Sequence, residues 1–367
     1  MSLRRIASVG LSLAVVAALG VGAAGSAEAK TKPTVKVMTQ NLYLGASLTP
    51  AMAAKTGTEF LTAVDIIWAS VLLTNFNLRA VAVADEIQKH QPDLIGLQEV
   101  TNWTNVNNSI EATPIPTFDY YKILQAELAK RGLTYKLVGQ SKNASIRAPY
   151  NPESAPADKP VPSYGGCNFA QCAITLNDRD MILVRAGSGI TYKKAVQAQY
   201  KKQEVLPLPD GTKQSFERGW VYSDMKLKGK KFRFINTHLE TEDFASVQEA
   251  QAKALLKGPA DYNGTIITTG DFNSSAAGDV TKTYNILTKN WYKDAWNASR
   301  DGAGLSCCQN EYLSNGVSEL KTRIDLVLTH GKAKSTGAVL IGADPFATET
   351  PKWPSDHAGV VATITLK

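Results

Sequence analysis

The sequence predicts an α/β protein built as one large domain. Short β-branched and apolar runs, such as residues 265–269, read as buried strands. Segments with apolar residues at helical spacing alternate with them. The 367 residues are 44% hydrophobic and 20% charged, with no linker, internal repeat or low-complexity tract to divide them. The run at 265–269 leads into Gly270-Asp271-Phe272-Asn273. Gly270 is expected to turn the chain. Asp271 and Asn273 lie two residues apart, so in an extended segment a carboxylate and a carboxamide point the same way. That pair suits a phosphate ester, although Gly-Asp-x-Asn also makes ordinary turns.

The first 29 residues differ from the rest. Arg4 and Arg5 precede an apolar stretch over 6–24, and Ala27-Glu28-Ala29 offers a small-x-small site before Lys30. This pattern predicts a secretory signal peptide over 1–29, a mature domain over 30–367 and a secreted, extracellular location. An uncleaved anchor is the alternative, and no other stretch is read as long enough to span a bilayer. The net charge of +7 falls to +6 on cleavage, because two arginines and one glutamate leave. That mild excess tolerates anionic partners without selecting one, and the lysines at 193–194, 201–202 and 228–231 read as solvated charges. Of the four cysteines, Cys167, Cys172, Cys307 and Cys308, the preferred bridges join the 167–172 loop to the 307–308 loop. Zinc is disfavoured, since no histidine lies at ligand spacing.

Along the chain, residues 35–40 alternate apolar and polar and form a strand that ends at Asn41. Residues 46–76 are an apolar insertion with one or two helices, expected to complete the core and alternatively to dock on lipid. A helix over 78–90 carries Ala80, Val83, Ala84 and Ile87 on one face and His90 at its end. A strand over 93–100 bears Glu99, which must meet a partner or sit at the strand mouth, because a lone buried carboxylate is costly. A helix over 118–131, a strand over 135–138 and a long irregular loop over 141–166 follow. Strands are then expected at 181–184, after Asn177-Asp178-Arg179-Asp180, and at 220–227 and 232–236. His238 stands just beyond the last of these. A helix over 243–257, an irregular segment over 298–320 and a strand over 323–328 carrying Asp325 come next. Ser355-Asp356-His357 precedes the final strand over 359–364. Polar groups of catalytic type thus recur at six strand ends.

In chain order, Thr39-Gln40-Asn41, Leu97-Gln98-Glu99-Val100, Asn236-Thr237-His238, Gly270-Asp271-Phe272-Asn273, Arg323-Ile324-Asp325 and Ser355-Asp356-His357 resemble the motifs of the endonuclease/exonuclease/phosphatase superfamily. Secreted deoxyribonucleases and neutral sphingomyelinases belong to it. The resemblance implies a four-layer α/β sandwich, two mainly antiparallel sheets face to face with helices outside. It implies that Glu99 binds a divalent metal, with Asn41 and Asp356 positioning the metal or the phosphate. The ion would be Mg²⁺, with Mn²⁺ or Ca²⁺ as alternatives. His357 would be the general base and Asp325 its orienting carboxylate. His238 and Asn273 would hold phosphoryl oxygens, and Asp271 would assist the leaving oxygen or the water. In the secreted-nuclease branch a further acid orients the first histidine. Asp178 or Asp180 would serve here, or either is a surface turn residue. Arg179 is a candidate phosphate contact, and Arg218 is another.

This chemistry needs charge neutralisation and a base of near-neutral pKa. The expected activity is that of a secreted, metal-dependent phosphodiesterase, a phosphoric ester hydrolase leaning to nucleic acid. Phospholipid or sphingomyelin cleavage is the alternative, favoured by the 46–76 insertion and by Trp353 near the last motif. A non-catalytic binding or adhesion protein is a third reading, weakened because Glu99, His238, Asp271 and His357 are all present. No obligate protein partner, and no transmembrane segment after cleavage, is inferred.

Overall fold

In the computed structural model the described residues are 32–107, 117–150, 172–207, 211–289, 291–299, 301–347 and 352–367. The expected leader and its cleavage site lie outside them, as does Cys167. The chain opens with β1 (Thr34–Asn41), then α1 (Thr49–Ala53), α2 (Gly57–Thr74) and α3 (Phe76–His90). Next come β2 (Leu94–Gln98), β3 (Asn102–Asn107), β4 (Thr117–Asp119), α4 (Tyr120–Lys130), β5 (Tyr135–Pro149) and β6 (Cys172–Arg185). The middle of the chain holds β7 (Thr191–Tyr192), β8 (Val196–Gln199), β9 (Val205–Pro207), β10 (Lys213–Ser215), β11 (Gly219–Leu227) and β12 (Lys230–His238). The last part holds α5 (Ala245–Lys257), β13 (Ile266–Asp271), α6 (Thr283–Thr288), β14 (Lys293–Asp294), β15 (Asp325–His330), β16 (Ala333–Ile341) and β17 (Gly359–Leu366).

Two large mixed sheets result. One runs β16-β17-β1-β2-β6-β3-β4, with β5 also on β6; the other runs β14-β15-β13-β12-β11-β7, with β8 also on β11. Within each large sheet a single pair is parallel, β1 with β2 and β12 with β13. Strand alternation makes the layers. Val35 and Val37 of β1 face the second sheet, where they share a core with Phe232, Phe234 and Ile267. Met38 and Ile95 face the other way, into a core with Trp68 of α2, Ile87 of α3 and Leu124 of α4. On the far side, Ile235 and Ile266 pack with Leu255 of α5 and Leu287 of α6. The order is helices, sheet, sheet, helices, the α/β sandwich that was expected.

Gly96 marks a close approach of the sheets. A Cβ there would collide with Thr269 Oγ1 and Asn236 Oδ1 of the opposite sheet. Asn236 spans the same gap. Its Nδ2 donates to the carbonyls of Leu97 and Met181 at 2.8 and 3.1 Å, and its Oδ1 accepts from Gln98 Nε2 at 2.6 Å. Buried between the sheets, such a satisfied network fixes the register of one sheet on the other.

Several expectations change. Residues 141–149 are not loop but part of β5, paired with β6. Residues 177–180 are not a lead-in but lie inside β6, because the pairing with β3 and β5 extends that strand back to Cys172. α2 is long and apolar enough to cross a membrane, contrary to the reading that no second stretch is. Half of it is buried within the fold, with Val64, Ile67, Trp68 and Val71 turned inward. Thr56 caps its start, accepting from Glu59 N at 3.2 Å. Trp353 is buried against Tyr43 and Leu313 and donates to the Asn315 carbonyl at 2.8 Å, so it packs a loop. Cys307 and Cys308 are bonded to each other, which overturns the expected inter-loop bridges. Cys172 is held in the helix-side core of the first sheet, while the backbone of Cys307 pairs antiparallel with Thr322 and His357.

Candidate active site

Strand direction gathers the polar residues at one end of the sandwich. In the parallel pair β12–β13, His238 lies opposite Asp271. β15 runs antiparallel to β13, so its first residue, Asp325, also lies opposite Asp271. In the other sheet the parallel pair β1–β2 ends at Asn41 and Gln98, one residue before Glu99. Antiparallel β17 starts at Gly359, just after Asp356 and His357. Asn41 joins the two sheets at this mouth, donating from Nδ2 to Asp271 Oδ2 at 3.0 Å.

The turns that close these strands are strained. Tyr43, Glu99 and Asn273 all adopt left-handed backbone, with φ of 61°, 55° and 48°. Non-glycine residues seldom do so outside sites that over-determine them. Asn273, not Gly270, makes the turn after β13. Gly270 lies inside the strand, where a Cβ would collide with the Thr237 carbonyl of β12. Its role is close backbone approach. The Asn273 backbone N–H donates to Asp271 Oδ1 at 2.8 Å, which closes the turn on the Asp271 side chain, and both side chains reach His238 Nε2.

His357 is buried with Nδ1 2.8 Å from Asp325 Oδ2. Its Nε2 faces Asp271 Oδ2 at 3.8 Å and Asp356 Oδ1 at 3.9 Å. Burial disfavours charge on this ring, but the carboxylates of Asp325, Asp356 and Asp271 outweigh it and hold the pKa well above the usual histidine value. Asp271 is pushed up to about 6, chiefly by burial, with Asp325 adding and His357 opposing.

His238 has the opposite character. Burial, then the charges of Arg218 and His357, hold its pKa well below the usual value, which favours the neutral ring. Its Nε2 lies 3.0 Å from Asn273 Nδ2 and 3.4 Å from Asp271 Oδ2. Arg218 Nη1 sits 3.1 Å from His238 Nδ1. Arg218 is itself buried, and its Nε has no hydrogen-bond partner among the described residues. Such a guanidinium is a ready phosphate donor.

Asp178 and Asp180 both point inward from β6 and are fully buried, which excludes the surface-turn alternative. Asp180 Oδ1 is 4.0 Å from His238 Nδ1. Asp178 Oδ2 accepts from Asn143 Nδ2 of β5 at 3.0 Å. Asn143 was missed in the sequence, hidden in a stretch read as loop. Arg179, between the two acids, points to the other face. It is tied to Asp119 at 3.0 Å and to the Val100 carbonyl at 2.9 Å, so the structure does not bring it to the site. Arg79 was also missed. Fully buried on α3, it donates to the carbonyls of Leu42 and Pro354 at 2.5 and 3.1 Å, binding the loop after Asn41 to the loop before Asp356.

Glu99 Oε2 accepts from Leu44 N at 2.5 Å. Its pKa is raised to about 8 by burial first and then by Asp356 and Asp178. Asp356 is raised as well, by burial, with Asp271 adding and His357 and Arg79 opposing. A carboxylate so short of positive charge fits a hard cation, and the donors here are oxygens. A second set, Asp271, Asp325 and His357, brings three ligand-type atoms within 4.8 Å of one another. There the shortest contact is the His357–Asp325 hydrogen bond, so proton handling is the better use of that set.

A model of the endonuclease/exonuclease/phosphatase family matches residues 38–357. Among solved structures, a protein of that family from Bacteroides thetaiotaomicron superposes with a TM-score of 0.57 at 16% identity, covering 92% of this chain and 96% of its own. One from Leptotrichia buccalis gives 0.54 at 17% identity, over 90% of this chain and all of its own. A mannosyl-6-phosphatase from Bacteroides thetaiotaomicron gives 0.53 at 16%, over 90% and 100%. At such identities the likeness is one of fold. No curated protein sequence matches the chain.

Proposed function

The chain belongs to the endonuclease/exonuclease/phosphatase family, whose members are metal-dependent phosphoric ester hydrolases, and on that premise we propose that it is an exported phosphodiesterase. The leader-like N-terminus supports export. The charge balance of the site supports a diester. Among the described residues, Arg218 stands as the arginine beside His238, facing a ring of carboxylates. A singly charged diester suits that balance better than a doubly charged monoester.

Glu99 and Asp356 would hold the divalent ion, with Asn41 beside them, and the ion would neutralise charge that grows on the phosphoryl oxygens. Arg218, neutral His238 and Asn273 supply the hydrogen-bond donors on the other side of those oxygens. His357, oriented by Asp325 through Nδ1, presents Nε2 to the water. Positive charge beside Asp356 weakens the carboxylates' hold on His357 and favours its neutral, proton-accepting form. Asp271, with a pKa near neutrality, can give a proton to the leaving oxygen.

Nucleic acid is the second reading, and it rests on charge. The lysines at 228–231 lie at the wrong end for it, since β12 runs from Lys230 away to His238. Exposed Lys201 and Lys202, however, follow β8, whose Gln199 pairs with Gly219 opposite His238. The test is a panel of bis(p-nitrophenyl) phosphate, p-nitrophenyl phosphate, DNA, RNA and phospholipid vesicles, with Mg²⁺, Mn²⁺ or Ca²⁺ and with EDTA. Metal-dependent diester cleavage is expected. Turnover of the monoester alone would overturn the diester assignment.

A further inference from the structure

Beside the site lies an apolar cavity of about 120 Å³. α1 and α2 wall one side with Met52, Phe60 and Ile67, and β3 and β6 wall the other with Trp103 and Leu176; Phe216 lines it as well. Arg147 and Gln214 are the polar members of its lining. The Trp103 indole N–H is already committed to the Leu44 carbonyl at 2.7 Å.

Two contacts connect this cavity to the phosphate-handling residues. Phe216 lies under the Arg218 guanidinium at 5.1 Å, and Arg218 is the group beside His238. Trp103 holds the carbonyl of Leu44, whose N–H binds Glu99. The lining thus touches Arg218 on the anion-binding side through Phe216 and, by way of Leu44, stands one residue away from Glu99 on the metal side.

A wall of this chemistry selects its occupant. A nucleobase brings several donors and acceptors that such a lining leaves unpaired, which is costly. A hydrocarbon loses nothing there. The volume is comparable to that of a dry apolar cavity known to take up a benzene-sized molecule, about 150 Å³. We infer that this cavity receives an alkyl chain borne by the substrate, so that the enzyme acts on amphiphilic, lipid-like phosphodiesters. The inference rests on the phosphodiesterase reading and names its substrate class. It also gives the 46–76 insertion a role: its helices form one wall of the cavity.

The experiment uses the mature chain with Mg²⁺ and a series of p-nitrophenyl alkyl phosphates from methyl to octyl. Water adds to phosphorus, the bond to p-nitrophenolate breaks, and the alkyl phosphate is the other product. We expect kcat/KM to rise by about fourfold per methylene until the cavity is filled, mainly through KM. Ala51 and Ile146 also line the cavity, and Ala51→Phe, and independently Ile146→Phe, should flatten that rise while leaving the methyl ester unchanged. Hydrolysis with no dependence on chain length would overturn the inference and leave the phosphodiesterase reading standing. So would a thymidine p-nitrophenyl phosphate turned over faster than the hexyl ester. Failure to cleave any member would remove the phosphodiesterase reading, and this inference with it.

Discussion

Asp180 Oδ1 lies 4.0 Å from His238 Nδ1, and neither oxygen of this fully buried carboxylate closes a hydrogen bond among the described residues. Burial, and then Asp178, hold its pKa well above the usual carboxylate value, and the charge of Arg218 tempers this without cancelling it. A carboxyl with a raised folded pKa is favoured in its neutral form. Its cost to stability is therefore absent below the ordinary carboxylate range and grows as pH rises toward and through the folded value. Asp180→Asn should raise stability at pH 7 by about 1–3 kcal/mol, with a smaller gain near pH 4. The same change should lower kcat by about ten- to a hundredfold, as losing an outer partner of a site histidine commonly does. Urea unfolding at the two pH values and steady-state rates check both halves.

His357 and Asp325 form the other histidine–carboxylate pair, at 2.8 Å. His357→Ala should lower kcat/KM on bis(p-nitrophenyl) phosphate by about 10²–10⁴ with the fold intact. Asp325→Asn should fall between that variant and the wild type, since it removes orientation but leaves the base. Turnover by His357→Ala at the wild-type rate would remove this residue from the mechanism. Circular dichroism on each variant separates lost chemistry from lost structure.

Glu99 is a carboxylate held well above its usual range by burial, Asp356 and Asp178, an environment that a cation would relieve. EDTA should abolish hydrolysis, and Mg²⁺ or Mn²⁺ should restore it. Glu99→Ala should abolish hydrolysis at metal concentrations that saturate the wild type. Glu99→Gln should raise the metal concentration for half-maximal activity by at least about tenfold. Activation curves at several metal concentrations would show an unshifted midpoint if Glu99 had no part in binding.

Gly96 tests the packing of the sheets. Its missing Cβ makes room for Thr269 and Asn236. Gly96→Ala should cost about 1–3 kcal/mol through overpacking, read as a lower urea midpoint with an unchanged slope. It should also weaken activity, because Asn236 lies two residues before His238 on β12.

The polar motifs show what a single sequence can and cannot reveal. Asn41, His238, Asp271, Asp325 and His357 stood out because a strand end is a place where polar groups break an apolar pattern. The structure brings them to one mouth, with Glu99 and Asp356 linked to them through charge. Asn236, in the same motif as His238, instead bolts the sheets together, a distinction that alternation along one strand cannot express. Asp178 and Asp180 were ambiguous because the strand containing them begins at Cys172, where its pairing with β3 is non-local. Arg79 and Asn143 gave no signal. Their importance comes from partners far along the chain, with Pro354 275 residues from Arg79 and Asp178 35 residues from Asn143.

By itself the sequence determined the alternation of strands and helices, the order of the motifs and the kind of chemistry they carry. Those properties are local, written in the period of apolar residues and in polar groups at strand ends. Tertiary structure decided which acid faces which histidine, that Arg218 and not Arg179 reaches the site, and that the cysteines at 307 and 308 pair with each other. It also decided that an apolar cavity borders the phosphate-handling residues. Each of these depends on sheet register and on the packing of one sheet against another, and a one-residue change in either would turn a side chain from the mouth to the opposite face.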